Sequence, residues 1–314
     1  MQKILNLALA AVFLNCLFIT ATLSAATTAP QMMQVRSFTH HGYNRPYLIY
    51  RPVHAPRAPA VVVMLGGITS TAQSASQEFG WTALADRYGF LVVFPDPVRT
   101  NLTQPPNKEK NITFWEMRGS RTHILAPGAP AVDDDGYLIA VLNGVVHRDH
   151  PDRSRIFFAG FSSGSGMAQL FASRHPEIVS GVVAVATPLM DPPVQLARPV
   201  PILYIHGDKD ESFTGFETHS PNFATTPHGN WMTWGYLDGC QKQTAKKTAW
   251  GVQFSWEGCR EGVRVIADFV AGVGHEWEGS RSWDRHGLQA PAPLDFTDAA
   301  WQFLANIHPH ESTR

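Results

Sequence analysis

Continuous apolar runs alternate along the chain with segments in which apolar residues recur at helical spacing. This pattern predicts strands and helices in alternation. The run Ala60–Leu65 contains no polar residue, which is typical of a strand covered on both faces. Similar runs occur at Phe90–Pro95, Ile156–Ala159, Val182–Ala186, Ile202–His206 and Val263–Ala267. Helical spacing follows at Phe79–Tyr88, from Asp133 to Val145, after Met167 and at Phe296–Ile307. Alternating strands and helices predict a mostly parallel central sheet with helices on both faces.

The segment before the first apolar run has a different pattern. Arg45–Pro52 alternates apolar and polar side chains and predicts an antiparallel edge strand. The chain has 314 residues, of which 44% are hydrophobic and 16% charged, so it is long enough for one large α/β domain and we expect this domain at residues 27–314. The net charge of -1 argues against binding to nucleic acid or to an anionic membrane.

The N-terminal residues predict export. Lys3 precedes the apolar segment Ile4–Ile19, and small residues at 22–26 provide a cleavage site. We therefore expect a signal peptide at residues 1–26 and a secreted or periplasmic protein with no membrane attachment after cleavage. An uncleaved anchor is the alternative, although the apolar segment is shorter than the ~20 residues of a membrane span.

Two cysteines, Cys240 and Cys259, remain after the signal peptide. An oxidising compartment favours a disulfide between them, and two free thiols are the alternative.

The sequence Gly160-Phe161-Ser162-Ser163-Gly164 lies between a predicted strand and a predicted helix. A serine on such a sharp turn is raised above the sheet, with glycines where side chains would collide. Ser162 is therefore the candidate nucleophile. A plain Gly/Ser turn is the alternative.

A serine nucleophile needs a histidine base and an acid that orients it, in the chain order Ser, Asp, His. Asp210 follows the strand Ile202–His206 and is the candidate acid, with Asp208 as the competitor. His275 lies on a glycine-rich loop after the last predicted strand and is the candidate base, with His286 in reserve.

The negative charge that forms on a substrate carbonyl oxygen needs backbone donors that are already in place. Ser163 N–H, at the start of a helix, is one candidate. The second is Ile68 N–H in the loop after the first buried strand, with Gly67 N–H as the alternative.

The long segment Asp96–Pro130 is rich in proline and polar residues and predicts a binding loop or lid. Within it, Phe114 and Trp115 either line a cleft or attach the loop to the body of the protein. Asp133 to Asp135 follow, and we expect them to cap a helix rather than to bind a metal.

Taken together, these motifs resemble the secreted polyhydroxyalkanoate (PHB) depolymerase and feruloyl esterase family of α/β-hydrolases. The resemblance also rests on longer stretches, which are Trp81–Pro95, Val132–Tyr137, His206–Asp210 and Gly274–Gly279, and on the Gly-Cys pairs at 239–240 and 258–259. It implies the α/β-hydrolase fold, ester hydrolysis by Ser162, Asp210 and His275 without a cofactor, and a disulfide between Cys240 and Cys259. The chain departs from the family in having Gly66-Gly67 where His-Gly is usual, and in having no cysteine beside Trp115.

The leading hypothesis is an exported serine esterase that forms an acyl-enzyme. Its substrate is either a short-chain polyester or oligoester, or a feruloyl or acetyl ester on a polysaccharide, and Trp115 and Trp277 are the candidate substrate-binding residues, with Trp231 and Trp234 as further flat surfaces. The alternatives are a noncatalytic polymer-binding member of the same fold and a secreted serine peptidase.

Overall fold

A mixed β-sheet passes through the centre of the molecule. The computed structural model describes residues 33–101, 111–116, 132–210, 233–279 and 294–307. Its strands are β1 (Gln34–His40), β2 (Tyr43–Tyr50), β3 (Val61–Leu65), β4 (Leu91–Pro95), β5 (Arg99–Thr100), β6 (Ile112–Thr113), β7 (Ile156–Phe161), β8 (Gly181–Val185), β9 (Ile202–Gly207), β10 (Lys242–Lys247), β11 (Gly251–Glu257) and β12 (Val265–Val270). The α-helices with assigned bounds are α1 (Ala72–Glu78), α2 (Trp81–Tyr88), α3 (Asp134–Asp149), α4 (Ser163–Arg174) and α5 (Phe296–Ala305).

Ten of these strands form the main sheet, in the order β1-β2-β4-β3-β7-β8-β9-β12-β11-β10. The six central strands, from β4 to β12, pair in parallel, and the two strands at each end pair antiparallel. The remaining pair, β5 and β6, forms a small ribbon of its own. The predicted mostly parallel central sheet is therefore confirmed.

Both faces of the sheet are covered by helices, and strand β3 shows how. Val61 and Val63 face one core, which also holds apolar residues of α3 and α4. Val62 and Met64 face the other core, with residues of α1, α2 and α5. A strand buried on both faces has no polar position, which is why these strands could be predicted from apolar runs alone.

The ends of the sheet differ from the sequence prediction. The segment predicted as an edge strand is β2, but β1 pairs with its outer side and forms the true edge. At the other end the β10–β11 hairpin adds two strands beyond β12. The outermost strands β1 and β10 are largely polar and solvent-exposed, and β11 is only half-buried, so none of the three carries a continuous apolar run for the sequence to reveal.

A disulfide joins Cys240 to Cys259, as the sequence predicts. It lies at the open end of the β10–β11 hairpin, where Gln241 N–H also donates to Glu257 O at 2.9 Å. The bridge therefore fastens the hairpin that extends the sheet.

The described residues belong to one compact unit, which spans residues 31–314. Among the described residues, no helix has the length and apolar character needed to cross a bilayer. The predicted signal peptide at residues 1–26 lies outside the described residues and stays a prediction, as does the domain boundary that follows it.

Candidate active site

Strand β7 ends in a sharp turn at Ser162, and helix α4 begins at the next residue. Ser162 has φ 52° and ψ −124°, a strained backbone for a residue with a side chain. A Cβ at Gly160 would overlap the Gly164 carbonyl, and a Cβ at Gly164 would overlap the Leu65 carbonyl. Both glycines of the motif are therefore required by close backbone contacts, and the strand, turn and helix are those predicted from the sequence.

Three distant side chains meet at this turn. His275 Nε2 lies 3.0 Å from Ser162 Oγ, and His275 Nδ1 lies 2.8 Å from Asp210 Oδ2. An ionised carboxylate only accepts hydrogen bonds, so it holds the proton on Nδ1 and leaves the Nε2 lone pair facing the serine hydroxyl. This tautomer can accept the proton of Ser162.

The loops after β9 and β12 contact each other and bring Asp210 and His275 together. Lys209 N–H donates to Val273 O at 2.8 Å, and a Cβ at Gly207 would overlap the same carbonyl. Asp208 Oδ1, in turn, accepts from Gly272 N–H at 2.7 Å. Asp208, the competing candidate acid, therefore holds the loop, whereas Asp210 contacts the imidazole. The reserve base, His286, lies outside the described residues.

Burial differs sharply among the three side chains. The Asp210 side chain is fully buried, whereas the His275 side chain is 30% exposed and Ser162 is half-buried. The Phe161 ring lies 5.2 Å from the imidazole ring and covers part of it. The serine and one side of the imidazole can thus be reached from solvent, while the acid is shielded and its interaction with His275 is weakly screened.

His206 is a neighbour of the acid that the sequence did not single out for a role. Its Nδ1 lies 3.1 Å from Tyr204 Oη and 4.0 Å from Asp210 Oδ2. Burial raises the pKa of Tyr204 well above its ordinary value, so the phenol keeps its proton. A buried polar pair therefore lies beside the same carboxylate oxygen that contacts His275.

The loop after β3 lies directly beside Ser162. A Cβ at Gly67 would lie 3.1 Å from the Ser162 Cβ and 3.3 Å from the Phe161 ring. Neither Ile68 N–H nor Ser163 N–H donates a hydrogen bond within the part of the chain that the structure describes. The two predicted donors therefore stay candidates for the oxyanion, in the residue after Ser162 and in the loop that contacts it.

The predicted substrate-binding tryptophans need a correction. Trp115 and Trp277 are both fully buried, and their indole N–H groups donate to Gly66 O and Thr297 Oγ1. Neither ring presents a face to a substrate. Trp234 is also fully buried, and Trp231 lies outside the described residues. The sequence shows that a tryptophan is present, but packing decides whether it lines a cleft or fills a core.

The acidic run at the start of α3 acts as predicted. Asp133 Oδ1 accepts from Gly136 N–H at 2.8 Å and caps the helix. Asp134 pairs with Arg45 at 2.6 Å, both almost fully buried. Asp133 Oδ2 also lies 3.0 Å from His40 Nε2. Among the described residues, the atoms of His40, His41 and Asp133 that could bind a metal lie within 4.8 Å of one another. The two rings stack at 6°, so their in-plane lone pairs do not converge, and we assign no metal to them.

Comparison with known proteins agrees with this geometry. Residues 46–189 match the family model described as Esterase PHB depolymerase. The chain is 26% identical over 280 residues to "Putative esterase NocK" of Nocardia uniformis subsp. tsuyamanensis, covering 81% of this chain and 75% of that protein. It is 24% identical over 159 residues to "Acetylxylan esterase A" of Emericella nidulans, covering 51% of this chain and 47% of that protein. The chain thus spans about half the length of that acetylxylan esterase.

Two solved structures share the fold over most of the chain. The acetyl xylan esterase from Aspergillus awamori has a TM-score of 0.56 at 16% identity and covers 87% of this chain and 99% of its own. A ferulic acid esterase has a TM-score of 0.52 at 15% identity, with 88% and 98% covered. The resemblance predicted from the sequence is therefore confirmed: the chain is similar to carboxylic ester hydrolases and has the α/β-hydrolase fold.

Proposed function

We propose that this chain is a secreted serine esterase that hydrolyses its substrate through an acyl-enzyme on Ser162. The observation that carries the proposal is the continuous series of hydrogen bonds from Asp210 through His275 to the Ser162 hydroxyl. A serine hydroxyl is a weak nucleophile on its own, and this arrangement supplies both the base and the group that orients it.

Acylation starts when His275 Nε2 takes the Ser162 proton as Oγ attacks the ester carbonyl. The negative charge then forms on the carbonyl oxygen, beside the N–H groups of Ile68 and Ser163. Backbone donors that are already oriented stabilise this charge without reorganisation, and losing one typically lowers the rate by ~10²–10³. The imidazolium, paired with Asp210, returns the proton to the departing alcohol.

Deacylation repeats these steps with water. His275 removes a proton from a water molecule that attacks the acyl group, and Ser162 Oγ leaves with the returned proton. Because the Ser162 and His275 side chains are partly exposed while Asp210 is buried, water can reach the acyl group without reaching the acid.

For the substrate we propose acetyl or feruloyl esters carried on a polysaccharide. Support comes from relatives and fold neighbours that are named acetylxylan, acetyl xylan and ferulic acid esterases. A short-chain polyester or oligoester is the second candidate, supported by the matching PHB depolymerase family model. Export is supported by the disulfide and by the sequence at residues 1–26, which predicts a signal peptide.

A substrate panel tests this proposal. Wild type and Ser162→Ala are assayed on acetylated xylan, methyl ferulate, hydroxybutyrate oligomers and a set of peptides. We expect turnover of the acetyl or feruloyl esters by wild type only. If wild type turns over only the hydroxybutyrate oligomers, the substrate is a polyester or oligoester instead. If wild type cleaves only the peptides, the chain is a peptidase. If the chain binds polymer, turns over none of these substrates and does not react with a fluorophosphonate probe, it is a noncatalytic member.

A further inference from the structure

The loop that carries Ile68 is held by a segment far away in sequence. Trp115 Nε1–H donates to Gly66 O at 3.1 Å, and Trp115 is fully buried. Thr69 N–H donates to Thr113 O at 2.9 Å, and Thr113 Oγ1–H donates to Ser70 O at 2.6 Å. Three hydrogen bonds therefore join residues 113–115 to residues 66–70.

These bonds fix the peptide units on both sides of the predicted oxyanion donor. The Ile68 N–H belongs to the peptide unit between Gly67 and Ile68. Trp115 fixes the unit before it, through Gly66 O, and Thr113 fixes the unit after it, through Thr69 N–H. Since each peptide unit is planar, fixing both neighbours leaves the middle unit little freedom to rotate.

The direction of the middle unit follows from a further bond. Ser70 N–H donates to Gly67 O at 3.1 Å. In a trans peptide the C=O and N–H point in opposite directions, so the Ile68 N–H points away from Ser70. Thr69 has φ 66°, which is rare for a residue other than glycine, so this turn needs outside support to persist.

The supporting segment is itself anchored. Asp134 Oδ2 accepts from the backbone N–H of Glu116 at 2.6 Å, while its other oxygen pairs with buried Arg45. The Arg45 guanidinium also lies 3.6 Å from the centre of the Tyr137 ring. Residues 113–116 are thus held between the start of α3 and the loop beside Ser162.

We propose that Trp115 and Thr113 are positioning residues that orient the Ile68 N–H toward the oxyanion of the reaction. This inference rests on the proposed function. It also explains how the Gly66-Gly67 loop is held without the histidine that is usual in the family. The indole N–H holds the backbone carbonyl of the first glycine from a distant part of the chain.

The test compares Trp115→Phe with a matched control, Trp81→Phe. Both tryptophans are fully buried, but the Trp81 indole N–H donates to none of the described residues. Each variant is purified as the full chain, checked by circular dichroism and thermal unfolding, and assayed with p-nitrophenyl acetate. We expect Trp115→Phe to lower kcat ~10-fold relative to Trp81→Phe, less than the ~10²–10³ for complete loss of a donor. The KM should change by less than about 3-fold, because the donor acts on the charged transition state.

Two further readouts separate positioning from general damage. The affinity of an alkyl trifluoromethyl ketone, which forms an oxyanion on the enzyme, should fall by the same factor as kcat. The pH at which kcat is half-maximal should not move, because Asp210 and His275 are untouched. A kcat within 2-fold of Trp81→Phe, or a displaced pH profile, would overturn the proposal.

Thr113→Val is the second variant, for use if Trp115→Phe does not fold. It removes the hydroxyl bond to Ser70 O and keeps the shape of the side chain, so we expect a fall in kcat of at least ~3-fold, a fraction of the loss for a whole donor. Wild-type kcat in this variant would overturn the positioning role of the Thr113 side chain, since the backbone bond from Thr69 N–H to Thr113 O stays in place. Ser162→Ala in the same assays keeps the two questions apart. If Ser162→Ala stays fully active, the proposed function fails. If Ser162→Ala is inactive while Trp115→Phe resembles Trp81→Phe and Thr113→Val resembles wild type, only the positioning role fails.

Discussion

Asp210 Oδ2 accepts a hydrogen bond from His275 Nδ1 at 2.8 Å, from a position where the carboxylate is completely buried. Its neighbour Asp208 instead binds the backbone of Gly272. Two carboxylates two residues apart therefore have separate tasks, one on the imidazole and one on the loop.

Exchanging each acid for its amide separates these tasks. Asp210→Asn places an amide against the imidazole and favours the wrong tautomer, so we expect kcat to fall by ~10²–10⁴. Asp208→Asn keeps an oxygen that accepts from Gly272 N–H, so its kcat should stay within about 3-fold of wild type. Steady-state kinetics on p-nitrophenyl acetate measures both. A large loss in Asp208→Asn with normal activity in Asp210→Asn would reverse the assignment.

The disulfide should support stability rather than catalysis. It closes a loop with a sequence separation of 19 at the edge of the sheet, away from the strand ends that carry the three side chains. The double variant Cys240→Ser, Cys259→Ser should lose about 3 kcal/mol of unfolding free energy, as for other loops of this length. Urea unfolding measures this loss, with wild type in reductant as a second comparison. We expect kcat to stay within about 2-fold. A well-folded double variant without activity would show that the hairpin shapes the site.

Stability should depend on pH through a buried acid, Asp238. Burial raises its pKa from 3.8 to about 8. Its Oδ1 accepts from Val200 N–H, and its Oδ2 has no hydrogen-bond partner among the described residues. The folded chain therefore keeps a proton that the unfolded chain loses above about pH 4. Its contribution to the unfolding free energy falls as pH rises from about 4 to 8.

Asp238→Asn removes this titration and keeps an oxygen for Val200. We expect a smaller loss of stability between pH 5 and 9 in the variant, and at pH 9 an unfolding free energy above wild type by several kcal/mol, since the pKa is raised from 3.8 to about 8 and each pKa unit corresponds to about 1.4 kcal/mol. Urea unfolding across that pH range measures it. Parallel curves for variant and wild type would show that Asp238 ionises without cost.

The central strands and the serine turn could be predicted because local sequence determines them. β3 has no polar residue. The turn accepts only glycine at positions 160 and 164, because a Cβ at either position would overlap backbone atoms. By contrast, β10 is almost entirely exposed and polar, and pairing with β11 rather than burial stabilises it.

The choice between Asp208 and Asp210, and the burial of Trp115, depended on tertiary contacts. The contact between the loops at Gly207 and Val273 decides which carboxylate reaches His275. The carbonyl of Gly66, distant in sequence, decides what the Trp115 indole binds. The sequence allowed both readings for Phe114 and Trp115, and the structure shows the pair buried against the body of the protein.

The most direct test of the account is to trap the acyl-enzyme. Wild type and Ser162→Ala are mixed with p-nitrophenyl acetate, quenched in acid within the first turnovers, digested and examined by mass spectrometry. We expect one acetyl group on the wild-type peptide that contains Ser162, with a matching initial burst of p-nitrophenol, and neither in the variant. An acetyl group on another residue, or undiminished hydrolysis by Ser162→Ala, would contradict the account.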